Sequence, residues 1–315
     1  MGKPYILVFG ASVVDIFGFC FKDYKTHDSN PGSVKVSFGG VSRNIAENMA
    51  RLGVYTKFIS VIGDDEKGRR MLDHSQMIGY DMSESLIVKN GRTPTYLAIL
   101  DEGGEMVSAI ADMETADEIN KEFIDSKAVA IEGADYTFVD ADNPEILEYM
   151  LTKFKGKTNF ILDPISAAKA KTITHLIKHF HSIKPNRQEA EVMVGFKIEN
   201  DEDLVKAGDK LLSFGIKNVF ISLDEDGVYF TNGVRSGKVK ANNVPVKNVT
   251  GAGDSFVAGL GYGYHNNLDI LQTLKMAVAM SVITIGSEKT INPDMCYDMV
   301  MKKIDEIDWE INKFS

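Results

Sequence analysis

The chain has 315 residues, of which 44% are hydrophobic and 25% charged, and its formal net charge is −10 at pH 7. This length and mixture of charges are typical of a soluble globular protein with one large core or two modest ones. The acidic balance argues against nucleic acid as the main partner, because binding to a phosphate backbone depends on a basic surface.

The first predicted element is a strand buried on both faces. Residues 5–10 form a continuous apolar run that ends in glycine, which is typical of a parallel sheet. Asp15 follows shortly after it, and ligands of open α/β sheets bind at that end of the strands. A pair of sugar hydroxyls would suit this acid, and a surface loop is the alternative interpretation.

Two stretches, 17–38 and 93–113, interrupt the pattern expected of a parallel sheet. Both contain the alternation of apolar and polar residues that is typical of half-exposed strand pairs, and residues 101–104 supply a hairpin turn. We expect these insertions to form a separate small β-sheet. Such a sheet would cover the site as a lid or pair with a second copy of the chain.

A pair of glycines precedes the first predicted helix. Gly39 and Gly40 would let a ligand approach the backbone closely, and Asn44 would place an amide in the same space. The apolar residues that follow recur at helical spacing as far as Gly53. A tight turn before an ordinary helix explains the same pattern.

Helices and strands alternate regularly over the rest of the chain. Further strands are expected at residues 54–63, 136–139, 159–162, 182–184, 218–223, 227–231 and 234–240. Helices are expected at residues 66–78, 254–265 and 268–285, and from residues 144 and 293 onward. This rhythm predicts an α/β fold with a Rossmann-like, mostly parallel central sheet flanked by helices. Without a linker or repeat, residues 1–315 are expected to form a single domain.

Asn186 and Glu189 open one of these helices. Their spacing suits a hydrated Mg²⁺, or a phosphate held through it. It also suits an N-cap and capping box, which many ordinary helices have. The local pattern alone favours the cap.

The stretch from Thr250 to Asp254 lies where the next helix begins. The small residues Gly251, Ala252 and Gly253 leave their main-chain N–H groups open, and the helix dipole adds positive potential, so an anion site is expected. Asp254 would repel a bound phosphate unless it accepts a proton from an incoming hydroxyl. The pattern therefore predicts attack of a hydroxyl on a phosphoryl group, and a glycine turn with a capping acid is the alternative.

Three motifs, taken together, resemble the ribokinase family of carbohydrate and nucleoside kinases over essentially the whole chain. They are Gly39-Gly40-x-x-x-Asn44, Asn186-x-x-Glu189 and Thr250-Gly251-Ala252-Gly253-Asp254. The resemblance implies a ribokinase-like fold with a small β-sheet lid that is often the dimer interface. It also implies ATP and Mg²⁺, with phosphoryl transfer to a primary hydroxyl of a sugar or nucleoside. A non-catalytic sugar-sensing protein of the same fold is the alternative.

The resemblance also assigns roles by position. The catalytic base would be Asp254, and the anion hole would be Gly251, Ala252 and Gly253. The phosphates of ATP would be held by Asn186, Glu189 and Thr250, with Glu189 as an indirect Mg²⁺ ligand. The ribose hydroxyls would be held by Asp15, Gly40 and Asn44.

Three residues depart from the family pattern. Ser42 and Arg43 stand where ribokinases tend to have small residues, so we expect Arg43 to recognise the base of a nucleoside by stacking or hydrogen bonding. Asn248 occupies a position that is often Asp near a monovalent cation, which leaves K⁺ activation open.

The sequence also indicates a compartment. Cys20 and Cys296 form no clustered pair, which is typical of a reducing environment. The chain begins without the pattern of a signal peptide, and its most apolar long stretch, residues 276–285, is too short to span a bilayer. We expect a cytoplasmic protein with no membrane partner.

Overall fold

The structure is a computed structural model that describes residues 3–314, so Met1, Gly2 and Ser315 lie outside the described part. Its strands are β1 (Ile6–Phe9), β2 (Val13–Cys20), β3 (Gly32–Gly39), β4 (Thr56–Ile59), β5 (Val61–Gly63), β6 (Leu86–Val88), β7 (Thr95–Leu100), β8 (Met106–Asp112), β9 (Tyr136–Asp140), β10 (Asn159–Asp163), β11 (Ser182–Ile183), β12 (Asn218–Ser222), β13 (Val228–Thr231), β14 (Ser236–Asn242) and β15 (Asp308–Lys313). Its helices are α1 (Val41–Arg51), α2 (Glu66–Ile78), α3 (Lys121–Ser126), α4 (Ala128–Glu132), α5 (Pro144–Lys153), α6 (Ala167–Thr172), α7 (Arg187–Val194), α8 (Asp201–Ser213), α9 (Ala252–His265), α10 (Ile270–Ile285) and α11 (Tyr297–Glu306).

A nine-stranded sheet organises the molecule, in the order β15-β14-β13-β12-β11-β10-β9-β1-β4. The strands from β4 to β12 in this order are parallel, and β13, β14 and β15 add antiparallel neighbours at one edge. The predicted mostly parallel central sheet is confirmed. Its parallel strands end together, so the loops that follow them gather along one edge.

The apolar run of β1 has a physical reason, because helices cover both faces of the sheet. Ile6 and Val8 belong to a core that includes residues of α1 and α10. Leu7 and Phe9 belong to a second core that includes residues of α5 and α7. Each residue of β1 is therefore buried, whichever face it points to.

A second sheet, called here the small sheet, has four strands in the order β3-β2-β7-β8. It consists of two antiparallel pairs, β2 with β3 and β7 with β8, joined by parallel pairing of β2 with β7. Its strands fall within residues 13–39 and 95–112 and overlap the two stretches in which the sequence predicts strand pairs. Asp15 lies inside β2, so it is part of the small sheet rather than of a loop.

Two predicted elements differ from the structure. The strand expected over residues 54–63 is divided into β4, in the main sheet, and β5, which pairs with β6. Ser60 separates them, and its buried hydroxyl donates to Ser12 Oγ at 2.9 Å. The last helix begins at Tyr297 rather than near residue 293, and the edge strand β15 that follows it was not predicted. Within residues 3–314, no helix combines the length and the apolar character needed to cross a membrane.

Candidate active site

Two helix N-termini that are far apart in sequence meet at the candidate site. Asn44 lies in the first turn of α1, and Asp254 lies in the first turn of α9. Asn44 Nδ2 donates a hydrogen bond to Asp254 Oδ2 at 2.7 Å. The structure therefore brings together two of the motifs that the sequence singled out, although they stand 210 residues apart.

The glycine turn before α9 has the shape of an anion site. Gly251 is the N-cap with φ 83°, and a Cβ atom there would lie 2.1 Å from the Thr290 carbonyl oxygen, so only glycine fits. Among residues 3–314, the N–H groups of Gly251, Gly253 and Asp254 donate to no protein group. The Ala252 N–H differs from expectation, because it is turned to Val249 O in a long bond of 3.3 Å. The free donors are thus the glycines and the base itself.

The environment of Asp254 makes it a suitable proton acceptor. Burial raises the pKa of its carboxyl group to about 6, and the negative charge of Asp163 adds to the rise. The ionised form is favoured, in the opposite direction, by Asn44, Lys184 and Arg43. Because a general base works best with a pKa near the operating pH, this balance fits proton abstraction near neutrality.

A buried lysine lies directly behind the glycine turn, and the sequence interpretation missed it. Lys184 is 7% exposed, and its Nζ lies 3.3 Å from Asp163 Oδ2. A Cβ atom at Gly253 would be 3.1 Å from the same Nζ, so the ammonium group contacts the turn. Burial lowers the pKa of Lys184, but Asp163, Glu189 and Asp254 raise it above its ordinary value, which keeps the lysine charged. Its position at the end of a buried strand was the available signal.

Asn186 and Glu189 form the capping box that the local pattern favoured. Asn186 Oδ1 accepts from the Glu189 N–H at 2.9 Å, and Glu189 Oε2 accepts from the Asn186 N–H at 2.8 Å. Glu189 Oε1 accepts from Asn186 Nδ2 at 3.0 Å, so both carboxylate oxygens face the cap. Glu189 is 2% exposed, and burial raises its pKa. Thr250 is exposed just before the glycine turn, and its N–H donates to Asn248 Oδ1 at 2.9 Å.

The remaining predicted substrate residues lie where β1 and the small sheet meet α1. Gly40 has φ 98°, and a Cβ atom there would lie 2.5 Å from Ala11 O, so glycine allows this close approach. Asp15 lies against Gly39, and burial raises its pKa. Ser42 Oγ donates to Asp140 Oδ2 at 2.6 Å. Burial and a neighbouring carboxylate raise the Asp140 pKa to about 6.

The predicted contact between Arg43 and a base is not supported. Arg43 is 3% exposed, and its guanidinium group has no open face on which a base could stack. Nη1 donates to Glu47 Oε2 at 2.5 Å, and Nη2 donates to Phe38 O at 2.5 Å and to Asn44 Oδ1. The helical position of Arg43 points it into the protein, which the sequence spacing alone did not reveal.

The position of Asn248 bears on K⁺ as well. Its Nδ2 donates a hydrogen bond to Glu288 O at 3.2 Å. Asn248 thus presents an N–H donor at a position where an aspartate would present a carboxylate oxygen to a cation. The arrangement gives no support to a K⁺ site at this residue.

A carboxylate beside free main-chain donors, at the carboxyl edge of a parallel sheet, defines a phosphotransferase that acts on a hydroxyl group. The pattern of the pfkB family of carbohydrate kinases matches residues 3–295. The chain belongs to this family, and it is a kinase of a sugar or nucleoside hydroxyl.

Known proteins that are similar in sequence and in fold agree with this family membership. Pseudouridine kinase from Escherichia coli is 32% identical over 305 residues, covering 96% of this chain and 97% of that protein. A crystal structure from Clostridium perfringens, of a protein provisionally called a sugar kinase, has a TM-score of 0.97 and 58% identity, and it covers 100% of both chains. Arabidopsis thaliana ribokinase, solved with ribose and ATP, has a TM-score of 0.82 and 20% identity, covering 96% of this chain and 99% of that one. The ribokinase-like fold is confirmed.

Proposed function

We propose that this protein transfers the γ-phosphoryl group of ATP to the 5′-hydroxyl of pseudouridine, giving pseudouridine 5′-phosphate and ADP. The observation that carries the proposal is the position of Asp254. Its carboxylate is hydrogen-bonded to Asn44 at 2.7 Å and stands at the start of α9, beside N–H groups that have no protein partner. A base and an anion site in one small space suit attack of a hydroxyl on a phosphoryl group.

Each residue has a defined part in the proposed reaction. Asp254 accepts the proton of the acceptor hydroxyl as its oxygen forms a bond to the γ-phosphorus, and the bond from that phosphorus to the ADP oxygen breaks. The free N–H groups of Gly251 and Gly253 stabilise charge on the phosphoryl oxygens. Lys184 adds a positive charge directly behind them. Asp15, Gly40 and Asn44 orient the sugar.

Side chains at this site could supply only part of the ligand set that Mg²⁺ needs. Within residues 3–314, no three His, Cys, Asp or Glu side chains are grouped to hold a metal ion. Mg²⁺ commonly keeps several waters and binds through substrate phosphates, with one or two carboxylates. Glu189 and Asn186 would hold it through water, and the ion would neutralise charge on the phosphates.

The choice of acceptor is supported by sequence. Residues 40–48, 95–101, 109–113 and 248–251 are the stretches whose sequence suggests a resemblance to pseudouridine kinase. The relative of that name, 32% identical, covers nearly the whole chain. Ribose, fructose and adenosine are the alternative acceptors within the same fold.

The first test is ADP release, measured with pseudouridine, ribose, fructose and adenosine in parallel. Asp254→Asn should retain ATP binding, while turnover falls by about 10²-fold or more, as expected for loss of a general base. Asp201→Asn is the matched control, because Asp201 is also a first-turn acid, on α8. Near-full activity of Asp254→Asn would refute the role of the base. Acceptor binding without ADP release would indicate a sensor.

We also propose that two copies associate through the small sheet. Register places Val36, Ile16, Leu97 and Ile110 in one row across its four strands. Val36 is 55% and Ile110 66% exposed. A continuous apolar row on an exposed sheet face is suited to a second copy of the same surface.

A further inference from the structure

Arg43 lies at the centre of a buried hydrogen-bond network that ends at Asp254. Its Nη2 donates to the side-chain oxygen of Asn44 and to the carbonyl oxygen of Phe38, the next-to-last residue of β3. Asn44 Nδ2 donates in turn to Asp254 Oδ2 at 2.7 Å. One guanidinium nitrogen thus joins the small sheet to the residue that holds the base.

Glu47 fixes the position of this guanidinium group. It lies one turn further along α1, is 3% exposed and accepts from Arg43 Nη1 at 2.5 Å. Its other oxygen accepts from Arg51 at 2.7 Å and 2.9 Å, and His74 Nε2 lies 2.9 Å from Oε2. Burial raises the pKa of Glu47, but these partners lower it to about 2, so the carboxylate is ionised. A buried charged acceptor with three cationic or polar partners has little freedom to move.

The orientation of the Asn44 amide follows from this arrangement. If the amide rotated by half a turn, its NH₂ group would face the Arg43 donors, and its oxygen would face the Asp254 carboxylate. Both contacts would be repulsive, whereas the observed orientation satisfies both. We propose that Arg43, held by Glu47, is a positioning residue that fixes the Asn44 amide and thereby the carboxylate of Asp254.

The proposal rests on the proposed function for its catalytic meaning, because it assumes that Asp254 is the base. Lysine at position 43 would keep the positive charge, but it lacks the planar fork that donates to Phe38 and Asn44 together. Arg43→Lys therefore separates orientation from charge. Glu47 retains Arg51 and His74 in this variant, so the fold is expected to persist.

The experiment is a titration of the Asp254 carboxyl group by carbon NMR in the full chain, with Asp254→Asn assigning the signal. The other charged groups that act on Asp254, Asp163 and Lys184, stay unchanged. Arg43→Lys should raise the Asp254 pKa by about one unit, the size expected when a hydrogen bond to a charged group is lost. The acid limb of kcat/KM should move upward with it, and kcat/KM should fall about fivefold at its former midpoint, where the ionised fraction of the base drops from one half to about one eleventh.

Two further variants complete the test. Arg51→Met is the matched control, because Arg51 binds the same Glu47 carboxylate without touching Asn44. This variant should leave the Asp254 pKa unchanged. In an Asn44→Ala background, Arg43→Lys should add no further shift of the Asp254 pKa, because the Asn44 amide through which Arg43 acts is absent. The proposal would be overturned if the Asp254 pKa in Arg43→Lys equalled that of the wild type, or if Arg51→Met shifted this pKa as much as Arg43→Lys does. The titration needs no turnover, so it tests the positioning role of Arg43 even if Asp254→Asn remains active and the proposed function fails.

Discussion

Asp254 stands between two charges of opposite sign that are themselves paired. Asp163 raises its pKa and Lys184 lowers it, while the Lys184 Nζ lies 3.3 Å from Asp163 Oδ2. Asp163 is 6% and Lys184 7% exposed, so solvent screens these charges little. The proton affinity of the base is therefore set by a balance that either partner can change alone.

Removing each partner should move the pH profile in opposite directions. Lys184→Met deletes a positive charge, so the acid limb of kcat/KM should move upward from about pH 6 by roughly one unit. Asp163→Asn deletes a negative charge and should move it downward, because the ionised base becomes easier to form. Profiles of kcat/KM from pH 5 to pH 9 measure both shifts.

The control for this pair is an ion pair of the same chemistry on the surface. Lys206 Nζ lies 3.4 Å from Asp203 Oδ1 on α8, and the lysine side chain is 64% exposed. Lys206→Met should leave the profile unchanged. Shifts of the same sign in the Lys184 and Asp163 variants would contradict the balance.

The sequence identifies the residue types at the site better than their contacts. Asn44 and Asp254 could be singled out because small residues and a helix start surround each of them. Their mutual hydrogen bond could not be foreseen, because it depends on how α1 and α9 pack, 210 residues apart. The same limit applies to Arg43: its helical position is visible in the sequence, but the direction of its side chain depends on its contacts with Glu47 and Phe38.

At the scale of elements, the turn into α9 is the most constrained connection near the site. Gly251 combines φ 83° with a Cβ position 2.1 Å from Thr290 O. Gly53, which follows α1, has φ 80° but open space around the same position. The two glycines share a backbone conformation and differ in the available room.

This difference allows a matched prediction. Gly53→Ala should cost about 1–2 kcal/mol of the free energy of unfolding, the strain of alanine in a left-handed conformation, and should leave turnover unchanged. Gly251→Ala should cost more, because the Thr290 backbone must also move, and turnover should fall as the free N–H groups shift. Chemical denaturation and ADP release test both effects. Equal costs for the two variants would contradict the steric argument.

Strand and helix prediction succeeded where the periodicity was long. The helix over residues 66–78 has the bounds that the sequence indicated, and α9 ends at His265 as expected but begins at Ala252, two residues earlier than predicted. The edge strand β15 was missed, although Trp309 and Ile311 alternate with polar residues there. A short alternating run at the end of a chain acquires its meaning only from pairing with β14, which the sequence does not display.

At the scale of the whole molecule, the small sheet has a face that the main fold does not cover. Val36 and Ile110, the ends of the row that also contains Ile16 and Leu97, are exposed, whereas Ile16 and Phe38, on the same face, pack against the core. The uncovered end of this face is the proposed contact with a second copy. Association there would also restrict the strand that carries Asp15.

Val36→Asp should therefore convert the proposed dimer into a monomer. A charge without a partner in an apolar interface costs roughly 3 kcal/mol or more, so the dissociation constant should rise by about 100-fold or more. Val129→Asp is the matched control, because Val129 is 88% exposed on α4, outside the small sheet, and its variant should associate as the wild type does. Sedimentation velocity over a range of concentrations measures the association. A monomeric wild-type chain, or a Val36→Asp dimer as tight as the wild type, would rule out this interface. The reason is that a carboxylate buried in an apolar contact must weaken the association of the two copies.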